Sequence, residues 1–246
     1  MKKWVVVMIC GLVIGSEAGV RLASRDMAME VVEVAVATPT AGATPRPTPV
    51  KWESVIQEVP FTAQAPFGEW SDPRQQDGCE EAAVLMAMKW VKGEGLTPQQ
   101  AKEEILKMAD YEAVVYGSYV DTSAHDTAER LMEDYFGYSE ARVISVGDSK
   151  VLVRELMDGN VLVVPSDGQL LGNPNYTRSG PERHMLVVIG YDVETGEFIT
   201  NDPGTRLGKG YRYPERIVWN AMRDYPSGDH LPITKIEKRM IVVRKS

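Results

Sequence analysis

The sequence predicts an α+β domain whose helices form early in the chain and pack on one side of an antiparallel sheet formed later. Three observations lead there. Apolar residues at helical spacing concentrate between Cys79 and Tyr135. Short apolar runs bounded by turn residues dominate from Arg142 onward. The stretch Ala37–Val50, just before the domain, is rich in Pro and Thr and cannot build a core.

Reading from the N-terminus, Lys2 and Lys3 precede the apolar run Trp4–Ile14, and Ser16-Glu17-Ala18 supplies small residues at a cleavage site. Residues 1–18 are therefore expected to be a signal peptide. The apolar run has 11 residues, against the roughly 20 needed to span a bilayer. It would tether the chain to a membrane only if left uncleaved. Ile9 stands before Cys10 where a lipoprotein signal needs a small residue, which argues against lipidation. Residues 19–50 read as a linker, with Pro39, Pro45, Pro47 and Pro49 favouring extended polyproline structure. The folded domain is expected over 51–246, outside the cytoplasm, either secreted or at the cell surface.

Within the domain, Glu58–Ala63 looks extended and leads into a Pro/Gly-rich loop. Ala82, Ala83, Met86 and Trp90 share a helix face over Cys79–Lys92, and Gly93 ends it. Thr97-Pro98-Gln99-Gln100 has the pattern of a capping box for a helix running to about Asp110. A third helix is expected over Ser123–Tyr135 and a fourth over Lys150–Met157. Strands are expected at Arg142–Val146, Val161–Val164, His184–Tyr191, Glu197–Thr200 and Met240–Arg244. Glu194-Thr195-Gly196 joins two of them as a hairpin.

The net charge is −8 and no Lys/Arg cluster is present, which argues against a nucleic-acid partner. No HExxH or CxxC occurs and the three histidines are scattered, so no metal or other cofactor is expected. Cys10 and Cys79 are the only cysteines, so signal cleavage leaves one thiol. A lone exported thiol is an oxidation liability, which makes it a candidate nucleophile. Cys79 follows Gly78 and opens a helix, where unpaired N–H groups and the dipole favour thiolate. Glu80 and Glu81 oppose that effect if they face the sulfur. The alternative is a small buried core residue.

A nucleophilic thiol needs a base, and histidine suits neutral pH. His184 stands at the mouth of the apolar run Met185–Ile189, whereas His125 and His230 lie in polar segments and read as solvated. The hairpin brings Asp202, in Asn201-Asp202-Pro203-Gly204, beside His184, where a carboxylate could orient the imidazole. Asp192 falls at the other end of the hairpin. Turn chemistry alone also accounts for Asp-Pro-Gly.

Together, VPFTAQAPFGEW (Val59–Trp70), DGCEEAA (Asp77–Ala83), HMLVVIGYD (His184–Asp192) and FITNDPGT (Phe198–Thr205) resemble the C39-like peptidase family. The resemblance implies a papain-like fold, Cys79 as nucleophile, His184 as general base and acid, and Asp202 as orienting carboxylate. It also implies Gln64 as oxyanion donor, with Gln75 and Gln76 read as polar loop. The expected substrate is a peptide or protein. The best-known relatives remove leader peptides while fused to a transporter; this sequence has no GxxxxGK[ST] loop, so leader processing is not implied. A transglutaminase-like acyltransferase, a cell-wall amidase and a catalytically silent binding module remain alternatives.

Overall fold

The computed structural model describes residues 52–245; the expected signal peptide and linker lie outside the described residues. Seven strands form one sheet, and every ladder pairing in it is antiparallel. They are β1 (Val55–Ile56), β2 (Arg142–Ser145), β3 (Val161–Ser166), β4 (His184–Asp192), β5 (Glu197–Asn201), β6 (Tyr211–Pro214) and β7 (Arg239–Val243). The spatial order is β2-β7-β3-β4-β5-β6, with β1 added to the far end of β4. The expected strand Glu58–Ala63 carries no ladder. Pairing instead falls just before it, at Val55 and Ile56, and Pro60 could not have donated to a ladder in any case.

The helices are α1 (Pro73–Gln76), α2 (Cys79–Lys92), α3 (Pro98–Val115), α4 (Ala124–Asp126), α5 (Lys150–Met157), α6 (Gly168–Leu171) and α7 (Glu215–Ala221). Helix α2 has the expected bounds, closed by Gly93 in the left-handed region. The Thr97 capping box forms with both of its hydrogen bonds, and α3 runs one turn beyond Asp110. Ser123 caps α4, whose path continues as π-helical turns over Thr127–Tyr135 to the left-handed Gly137.

Helices cover both faces of the sheet rather than one. Met185, Val187 and Ile189 of β4 meet the apolar face of α2, α3 and the π-helical segment. Leu186 and Val188, on the other face, meet Leu152, Leu156 and Val218 of α5 and α7. This accounts for the unbroken burial of β3 and β4: an alternating strand needs one wet face, and these have none. Elements α1, α6, β6 and α7 are too short or too polar to show a period in the sequence. No helix among the described residues is long and apolar enough to cross a membrane.

Candidate active site

Three elements converge on one cavity of about 1010 Å³, lined by Gln64, Cys79, Tyr176, His184 and Gly204 among others. The nucleophile candidate opens α2. Gly78 precedes it because a Cβ there would lie 2.5 Å from the Arg74 carbonyl oxygen, so only glycine lets α1 turn directly into α2. Cys79 is a free thiol, buried except where it meets the cavity. Its Sγ donates to Glu80 Oε2 at 3.0 Å.

That contact sets Glu80 against the helix-start effect, the opposition the sequence left open. Burial first, then the Glu80 charge and hydrogen bond, push the Cys79 thiol well above its ordinary value, while the Met185 backbone amide pulls the other way. Glu80 and Glu81 both point inward.

His184 opens β4, and its ring Nε2 lies 2.8 Å from Asp202 Oδ1. Asp202 follows β5, and the β4–β5 ladder pairs Val187 with Asn201, which carries the aspartate back to the start of β4. With Nε2 committed to the carboxylate, Nδ1 is the ring nitrogen left to serve the cavity.

Asp202 is fully buried. Oδ1 accepts from His184 and from the Gly204 backbone N–H (3.0 Å); Oδ2 accepts from the hydroxyls of Tyr176 (2.6 Å) and Tyr213 (2.7 Å) and from Asn173 Nδ2 (3.3 Å). Burial by itself would raise this carboxyl. The His184 charge and the hydrogen bonds from His184, Tyr176 and Tyr213 outweigh burial and hold it at about 2. Burial beside Asp202 drives both tyrosine hydroxyls far up, so they remain donors. Tyr176 also meets the His184 ring edge-on, with centroids 5.5 Å apart. Gly204 makes this packing feasible, since a Cβ there would stand 2.9 Å from His184 Cε1.

Gln64 reaches the cavity, and its backbone N–H donates to the Pro203 carbonyl beside Asp202. Its side-chain Nε2 donates to the carbonyls of Gln75 (3.1 Å) and Gln76 (2.6 Å). The amide is therefore engaged in holding the chain before α2. It donates to an oxyanion only by giving up one of those carbonyls. Gln75 and Gln76 are the last residues of α1 rather than a polar loop; Gln75 is buried and Gln76 exposed.

Asn173, Tyr176 and Tyr213 were not singled out from the sequence as site residues. They stand far from Asp202 along the chain or across a loop, and no motif links them. His230 is more than half exposed yet bonds through Nδ1 to Asp121 Oδ2 (2.9 Å) at the cavity rim, where Arg183 Nε also approaches Asp121 (3.3 Å). His125 is exposed, as expected. It stands with Asp126 and Glu129 in a surface cluster that the sequence reading did not anticipate. Arg130 and Ser227 already engage the Asp126 carboxylate.

The model of the Peptidase_C39 like family matches residues 56–227. The chain belongs to that family. The match runs from β1 to the loop beyond α7 and so includes Gln64, Cys79, His184 and Asp202. Among solved structures, the chain is similar to a protein from Bacillus anthracis described as a candidate C39-like peptidase, at 16% identity and a TM-score of 0.50. That likeness covers 79% of this chain and 100% of the other, and it concerns the fold. No curated protein matches. The C39-like fold thus accounts for the α2-to-β4 arrangement on which the cavity is built.

Proposed function

We propose that this C39-like protein is an exported cysteine peptidase that cleaves peptide bonds through Cys79, His184 and Asp202. The observation that carries the reading is the 2.8 Å contact of His184 Nε2 with a carboxylate held ionised, in a cavity that Cys79 also lines. In this mechanism the Cys79 S–H bond breaks, its proton passes to His184 Nδ1, and the sulfur attacks the peptide carbonyl carbon. Asp202 keeps its charge and stabilises the imidazolium without taking the proton. The Cys79 backbone N–H, one of the unpaired donors of the first helical turn, faces the developing oxyanion, with Gln64 Nε2 as second donor once it leaves a loop carbonyl. His184 then protonates the departing amine, leaving a thioester on Cys79. Water, giving a proton back to Nδ1, attacks the thioester, frees the acid and restores the thiol. Residues 1–18 direct export, and 19–50 space the domain from the point of release.

The test is cleavage of a peptide library by the full chain and by Cys79→Ala and His184→Ala. Loss of cleavage in both, with an acyl adduct on the Cys79 peptide of the parent protein, supports the reading. Cleavage that survives Cys79→Ala sinks it. An added amine that captures the acyl group faster than water redirects it to acyl transfer.

A further inference from the structure

Glu80 is 1% exposed and lies against the sulfur itself. Burying a carboxylate costs several kcal/mol unless its oxygens are satisfied, and here each oxygen has a donor. Oε2 takes the Cys79 thiol at 3.0 Å. Oε1 takes the Tyr225 hydroxyl at 2.7 Å and the Thr122 backbone N–H at 3.4 Å. Burial raises the Glu80 carboxyl from its ordinary value, and the hydrogen bonds from Cys79 and Tyr225 pull it back down. An apolar side chain would fill the same volume without needing any of these partners.

We propose that Glu80 is a latch on the nucleophile: in the free protein it holds the Cys79 proton on sulfur, and His184 takes that proton only after Sγ leaves Glu80. The proposal rests on the Cys79–His184 reading above. In the latched state the proton stays on sulfur and is donated to Oε2. On release the S–H bond breaks, the electron pair stays on sulfur, and the proton moves to His184 Nδ1. Glu80 is not the acceptor of that proton at either stage. The latch answers the oxidation problem of a lone exported thiol, because a protonated, buried sulfur reacts slowly until a substrate engages it.

The groups facing this pair come from every packed element. Glu81 stands on α2, Glu112 on α3, His184 on β4, Tyr225 after α7, and Asp121 in the loop before α4. Most are acidic, so they share the sign of the Glu80 effect, and the Met185 backbone amide opposes it.

The experiment is the rate of iodoacetamide modification as a function of pH, in the full chain, read at the Cys79 peptide by mass spectrometry so that Cys10 does not contribute. Four proteins are compared: the parent, Glu80→Gln, His184→Ala and the double variant. Near neutral pH, Glu80→Gln is expected to react roughly tenfold or more faster than the parent, because one unit in thiol pKa is a factor of ten in thiolate. His184→Ala should remove most of that gain. If Glu80→Gln reacts at the parent rate or slower while His184→Ala still slows the thiol, the latch is wrong and the dyad stands. If Glu80→Gln accelerates but His184→Ala changes nothing in either background, the dyad reading fails instead. Should Glu80→Gln not fold, the parent decides alone: an inflection at or below about pH 7 overturns the latch.

Discussion

Replacing Glu112 by Gln should change how stability depends on pH, without touching the cavity. Glu112 lies on α3, fully buried, and neither carboxylate oxygen has a hydrogen-bond partner. Glu81, equally buried and unpartnered on α2, lies within electrostatic reach. Burial, reinforced by Glu80, raises the Glu112 carboxyl from 4.5 to about 8, against a smaller pull from Arg130. The folded state therefore binds a proton that the unfolded chain releases above about pH 4.5. That stability is fully present below the unfolded pKa and is lost as pH rises towards 8. At 1.36 kcal/mol per unit, the loss reaches about 3 kcal/mol near pH 7 and about 5 kcal/mol near pH 9. Glutamine keeps the volume, never ionises, and leaves a buried amide whose unmet hydrogen bonds cost about 1–3 kcal/mol at every pH. Glu112→Gln should accordingly be slightly less stable than the parent near pH 5 and more stable by a few kcal/mol near pH 9. Urea unfolding followed by tryptophan fluorescence at three pH values measures this. Parallel stability curves with a constant offset would refute the reasoning, since they would mean that Glu112 does not titrate on folding.

Other perturbations act closer to the chemistry. Asp202→Asn removes a carboxylate held at about 2 against an ordinary 3.8, a difference worth about 2 kcal/mol. It should slow peptide cleavage by about 30-fold. The same depressed carboxyl adds stability that is present above about pH 4 and is lost as pH falls through about 2, so the acid limb of unfolding should flatten in Asp202→Asn. Gly204→Ala places a Cβ 2.9 Å from both His184 and Tyr176; it should abolish cleavage while far-UV circular dichroism stays that of the parent. Thr97→Ala removes the α3 capping box and should cost about 1 kcal/mol in urea unfolding, with the Cys79 alkylation rate unchanged.

Local rules with a short range made much of the architecture readable. Helix α2 could be bounded because Gly78 and Gly93 punctuate it, and the start of α3 because Thr97 and Gln100 form a capping box. The β4–β5 hairpin could be placed because a turn signal separates two apolar runs, and with it the nearness of His184 and Asp202. Elements without a period escaped: β6 and α7 follow one another at Pro214, and each is too short to repeat a pattern. The second helical layer escaped for a related reason. A strand buried on both faces reads as a plain apolar run, and such a run does not say what covers it.

For the candidate site, the residue types, their order and the hairpin contact were legible in the chain, because these depend on neighbours a few positions apart. Tertiary structure alone decided their electrostatics. Asp202 owes its low carboxyl to His184 first and then to Tyr176 and Tyr213, two hydroxyls brought to it across loops. The direction in which Glu80 points was open in the sequence, because a glutamate in a first helical turn can equally face water. Packing of α2 against the chain after α7 and before α4 turned it inward, onto Tyr225, Thr122 and the sulfur. The helix start favours thiolate in any chain with this local sequence; burial beside a carboxylate reverses the balance here, and burial is a property of the whole fold.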